Sequence, residues 1–187
     1  MLPLGHTGIV LGIGAALTPL RATGQTNGNW FLRLAEAVDI RILMVGALLP
    51  DIIDKPLGHY IFPEALGNGR IYAHTLLFSL LLLAGGWLLY RYRRRMWLLL
   101  LGAGSFLHIL LDQMWTAPKA FFWPLFGFSF DKYVYDNYLG SMWEALFSNP
   151  GAYIPEIIGG LIVIWFGIVL LRRRKLLAFI IRGKLSA

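Results

Sequence analysis

Five stretches of the chain are almost purely apolar, and the polar and charged residues gather between them. Residues 4–20 carry one ionisable side chain, His6, and close on Thr18, Pro19 and Arg21. Residues 22–29 are polar and glycine-containing, a loop signal. Residues 30–41 set Phe31, Leu34, Ala35 and Val38 on one helical face and run on into 42–49. A second helix is therefore predicted to end near Pro50. Its uncharged part is short, which suits a broken or tilted span. Residues 55–70 hold Pro56, Gly58, Pro63, Gly67 and Gly69 and read as a loop. A third helix over 74–90 is closed by Arg91, Arg93, Arg94 and Arg95, and a fourth covers 96–114. Residues 115–153 are rich in Trp, Phe, Tyr and Pro, a composition of the membrane–water interface. A fifth helix over 154–171 precedes Arg172, Arg173, Arg174 and Lys175. The basic tail, 172–187, is predicted to lie along the membrane surface.

Composition turns this pattern into a fold class. Of 187 residues, 57% are hydrophobic and only 14% charged, against about 25% in soluble domains; mean hydropathy is +0.62. The expectation is an all-α, polytopic membrane helix bundle, a single domain over 1–187 with about five transmembrane helices. The net charge of +7 sits in clusters at the ends of apolar runs. That is membrane flanking rather than a nucleic-acid surface. No cysteine is present, so any metal must be held by His and carboxylates.

Charge also sets the orientation. Segments 21–41, 91–95 and 172–187 alternate with the others and hold three, four and six of the 17 Lys and Arg. The positive-inside rule places them in the cytoplasm, with the N-terminus outside and the C-terminus inside. All four histidines and eight of the ten acidic residues then fall on the outer side.

Asp51 and Asp54, three residues apart, share a helix face, as do His108 and Asp112 at i, i+4. His74 and His6 lie at two further helix ends. His108 is about 6 Å deeper than Asp112, and an ionisable group there costs roughly 2.5–3.5 kcal/mol against lipid. It is expected to face the bundle with a partner. Together these residues make a metal site for a divalent ion, Zn first, with Mn or Fe as alternatives. Arg70 is a candidate clamp for a phosphate or carboxylate. His59, Asp131, Asp136, Glu144 and Glu156 read as solvated. The Gly12–Gly14 and Gly102–Gly104 pairs suit helix packing.

His6, Leu49-Pro50-Asp51-Ile-Ile-Asp54-Lys-Pro56, Gly69-Arg70-x-x-x-His74-Thr75-Leu76, His108-x-x-x-Asp112 and Trp123-Pro124 resemble the membrane-bound metal-dependent hydrolases, also described as LexA-binding, inner membrane-associated hydrolases. The resemblance covers roughly residues 5–125. It implies a hydrolase of the inner or plasma membrane, distantly similar to zinc-dependent phospholipase C. By match it gives His6, Asp51, Asp54, His74, His108 and Asp112 as metal ligands. Many relatives read Pro-Asp-x-Asp-His; here the second Asp comes one residue later and Lys55 stands in place of the His.

The expected activity is hydrolysis of a phosphoester, lipid or lipid-linked, at the outer face of the membrane. A metal-activated water attacks, Asp51 or Asp54 accepts its proton, and Arg70 stabilises phosphoryl charge. The expected partners are membrane lipids and that substrate, not nucleic acid. Two rivals are a metal-ion or proton transporter, which needs ionisable groups through the bundle, and a non-catalytic scaffold with a structural metal.

Overall fold

The computed structural model describes residues 2–17, 38–133 and 137–183. Among them every regular element is helical. The long helices are α1 (Pro3–Leu17), α2 (Ile40–Pro56), α3 (Leu76–Arg93), α4 (Trp97–Leu111) and α7 (Pro150–Arg172); α5 (Pro118–Phe121), α6 (Tyr138–Ser148) and α8 (Leu176–Arg182) are shorter. Packing runs α3, α4, α2, α1, α7, each helix lying against the next.

Glycine makes these approaches close. A Cβ on Gly46 or Gly104 would strike the facing backbone between α2 and α4. A Cβ on Gly8 would strike Gly159, joining α1 to α7 in the same way. In lipid no hydrophobic force drives helices together, so small residues that let backbones touch are the main source of contact. Ser79 Oγ and Ser105 Oγ, both buried, add a 3.2 Å hydrogen bond between α3 and α4.

Several predicted boundaries move. The second helix does not end at Pro50 but runs through it to Pro56, then widens into one π-type turn over Leu57–Ile61. Bundle helices tolerate an internal proline when neighbours support the extra turn. Here the support is an i, i+4 contact of 2.7 Å between Lys55 Nζ and Asp51 Oδ2, and Gly58 lying against the Asn68 backbone. Residues 30–37 of that predicted helix, and 18–20 of the first, lie outside the described residues. The third helix starts at Leu76, with the Thr75 hydroxyl accepting from Phe78 N as its cap. The 115–153 segment is not a continuous interfacial loop: it contains α5, α6 and the first turn of α7. Asn137 and Asn149 cap α6 and α7 with their side-chain oxygens.

Only α7 is long and apolar enough to cross a membrane by itself among the described residues; α1 and α4 are shorter apolar helices. Each has 15 residues, about 22 Å against a hydrocarbon core of roughly 30 Å.

The opposite end is basic. Arg91, Arg93, Arg94 and Arg95 close α3. There α8 docks on the start of α2, where Ile40 N donates to Gly183 O at 3.0 Å and the Arg41 guanidinium, paired with Asp39 at 2.7 Å, reaches Ile180 O.

Candidate metal centre

Four helix ends deliver the polar groups. His6 comes from the first turns of α1, Asp51 and Asp54 from the last turns of α2, His74 from just before α3, and His108 and Asp112 from the end of α4. The three imidazoles and Asp54 are fully buried, and Asp51 is 8% exposed.

Asp54 forms the back wall. Its carboxylate accepts Ile71 N at 2.9 Å and the amides of Ala73 and His74 at 3.0 Å, and it takes His74 Nδ1 at 2.7 Å. Most of these donors converge on Oδ2, and Oδ1 shares the Ala73 amide. The sequence suggested Asp54 as a ligand or proton acceptor; the structure places it behind His74, where it folds the 71–74 turn and orients the ring.

The tautomers follow from the partners. His108 Nδ1 lies 2.6 Å from the Ala47 carbonyl, which only accepts, so Nδ1 carries the hydrogen. His74 Nδ1 donates to Asp54 in the same way. In the neutral rings the two Nε2 atoms then carry the lone pairs, and they lie 3.1 Å apart. Asp51 Oδ1 stands 3.5 Å from one and 3.8 Å from the other. Three acceptors converge on one point, an arrangement that a cation between them stabilises.

His6 completes the ring of donors. It stacks on His108 with centroids 3.9 Å apart. Its Nε2 is 3.1 Å from Asp112 Oδ1, yet neither ring nitrogen makes a hydrogen bond in good geometry, although both are buried. A buried imidazole without a hydrogen bond is costly unless it has another partner. Two overlapping trios, His6–Asp51–His108 and His74–His108–Asp112, keep their donor atoms within 4.8 Å of one another. Three imidazoles and two carboxylates, with two of the rings fixed by hydrogen bonds at the far nitrogen, form a donor set that could hold a metal ion.

The mouth of the pocket is cationic. Asp51 turns Oδ1 inward and gives Oδ2 to Lys55 at 2.7 Å; Asp112 turns Oδ1 toward His6 and gives Oδ2 to Arg70 Nη2 at 2.9 Å. Arg70 is itself placed by Asn68, whose Oδ1 accepts Arg70 N at 2.8 Å and whose Nδ2 donates to Asp131 O at 2.7 Å. Sequence reasoning took Lys55 only as a departure from the relatives. Its i, i+4 spacing from Asp51 was the signal that it faces the same pocket.

The family comparison agrees with the membrane reading. The model of the YdjM inner membrane protein family matches residues 1–182. The chain belongs to that family. The match extends well beyond residue 125, so α6, α7 and α8 are part of the family's unit. The YdjM description places the chain at an inner membrane. No curated protein and no solved structure matches the chain.

Of the remaining sequence candidates, His59 and Asp131 line the outer part of the same cavity, and Glu144 and Glu156 do not. His59 is stacked on Tyr138 at 3.9 Å rather than standing free in a loop. Asp131 pairs with Lys119 at the surface, 2.9 Å apart. Glu144 caps nothing in the pocket, though its backbone carbonyl accepts Ser148 Oγ at 2.8 Å. Glu156 is not simply solvated: its carboxylate accepts Gly5 N at 2.9 Å and pins the start of α1, next to His6.

Proposed function

We propose that this YdjM-family protein is a multi-pass membrane hydrolase. It uses a divalent ion held by His6, Asp51, His74, His108 and Asp112 to cleave a phosphoester at the outer face of the membrane. The observation that carries the reading is the inward-facing set of lone pairs on His74 Nε2, His108 Nε2 and Asp51 Oδ1. The topology supports it too: donor residues gather at one end of the bundle and arginines at the other, with the arginine end cytoplasmic by the positive-inside rule.

A bound Zn-type ion supplies Lewis acidity that makes water a nucleophile near neutral pH. The chain's own groups do the rest. Asp51 borders the cavity, as Asp112 also does and Asp54 does not, so we assign the water's proton to Asp51 rather than Asp54. Asp54 and the Ala47 carbonyl hold the two imidazoles in the ligating tautomer. Arg70 aims its planar fork at the phosphoryl oxygens.

The test is metal analysis of purified protein together with turnover of a generic phosphoester. Wild type is expected to carry at least one equivalent of a divalent ion and to lose hydrolysis on chelation. His108→Ala and Asp51→Ala are expected to lose both metal and activity. Hydrolysis that persists without metal, or metal-free wild type, overturns the reading.

A further inference from the structure

We infer that Lys55 and Arg70 form a two-point clamp for a phosphate group carried by a lipid; the assignment rests on the hydrolytic reading of the adjoining metal centre. Both cations line a cavity of about 600 Å³ whose polar end is Asp51, Lys55, Arg70 and Asp112. Each is tied to the outer oxygen of a carboxylate whose inner oxygen faces the imidazoles. The contact to Asp51 engages one of three ammonium donors on Lys55, and that to Asp112 a single nitrogen of the Arg70 fork, so both cations have further donors for an oxyanion. Charge points the same way. With neutral imidazoles, and with Asp131 on the cavity wall offset by its partner Lys119, Asp51, Asp54 and Asp112 against Lys55 and Arg70 leave the pocket with one net negative charge; a single divalent ion makes it one net positive charge. The pocket then attracts an anion once the metal is in place, and repels it before.

The far wall of the cavity offers an apolar strip, beside Ser141 and Asn149, along which a lipid carrier fits. Met142 and Ala145 of α6 and Ala152 of α7 line it. The other face of α6 shows Leu139, Trp143 and Phe147, each 59–70% exposed. The spacing i, i+4, i+8 puts these three on one stripe, roughly opposite Ala145. In a membrane, α6 is thus a partition one helix thick, with acyl chains on one side and the clamp's cavity on the other. An apolar chain attached to a clamped phosphate lies along the Met142 and Ala145 side.

The test measures binding of inorganic phosphate and of dodecyl phosphate to the metal-loaded full chain in nanodiscs, with metal content recorded for every variant. Lys55→Gln and Arg70→Gln are each expected to weaken inorganic phosphate by about tenfold or more, the scale of a charge-assisted hydrogen bond, with metal content unchanged. Lys55→Arg, which keeps the charge, is expected to stay within about threefold of wild type. Undiminished phosphate binding by Lys55→Gln at full metal content overturns the clamp. Ala145→Trp is expected to weaken dodecyl phosphate about tenfold and to leave inorganic phosphate within about twofold. Equal dodecyl phosphate affinity in Ala145→Trp and wild type overturns the lipid as carrier. Failure of the hydrolytic reading shows separately, as wild type that holds no metal.

Discussion

The back wall and the mouth of the pocket are built from aspartates one helical turn apart on α2, and they do opposite work. Asp54 is fully buried and accepts from three amides and an imidazole, most of them on Oδ2. Asp51 divides its oxygens between two histidines on the inside and a partly exposed lysine on the outside. The wall is saturated and rigid, while the mouth consists of ion pairs that a ligand can exchange. A metal pocket in lipid needs both: an inflexible set of hydrogen bonds to fix the rings, and groups at the rim whose partners can be replaced without leaving a buried charge alone.

The largest expected effect breaks the wall. Asp54→Ala leaves the amides of Ile71, Ala73 and His74 without their acceptor. At about 1–3 kcal/mol for each of these three buried unsatisfied amides, the loss is on the order of 3–9 kcal/mol. Denaturant or thermal unfolding in detergent checks this, and a loss under about 1 kcal/mol would show that the wall is not structural. Asp51→Ala sharpens the contrast, since it is expected to empty the metal site while the fold persists.

An intermediate effect comes from a residue far from the wall. Gly159→Val inserts a side chain where the α7 backbone meets Leu4 and Gly5. It is expected to displace His6 and lower metal affinity by about tenfold, as remote support of a ligand usually does. Unchanged affinity by metal titration would mean that His6 is not a ligand. The smallest effect is at the outer rim. Lys119 and Asp131 are 60% and 57% exposed, so Lys119→Ala is expected to shift neither melting temperature nor metal content, because solvent screens such a pair. A measurable shift in either would extend the rigid part of the site out to the rim.

Much of this was legible in the sequence, and the reasons are physical. His6, Asp51, His74, His108 and Asp112 fall at ends of apolar runs, and antiparallel neighbours bring alternate ends together. The Thr75 cap was also readable. Asp54 was readable as buried but not as saturated, because residue spacing cannot show which donors surround an oxygen. Pro50 reads as a stop, since it removes a helical hydrogen bond; the helix continues past it beside a local Lys55–Asp51 contact and a tertiary approach of Gly58 to the Asn68 backbone. The helices within 115–153 were hidden by aromatic composition. Asn149-Pro150, a side-chain cap followed by proline in the first turn, was the available sign for the start of α7.

The Gly8–Gly159 contact, with Glu156 holding Gly5 beside it, has a bearing on biogenesis. The earliest donor to leave the ribosome is steadied by one of the last helices to follow it. The pocket therefore cannot close until nearly the whole polypeptide has been inserted. On the proposed reading, metal loading follows insertion of α7, and chains truncated before residue 159 are expected to accumulate in the bilayer as empty precursors.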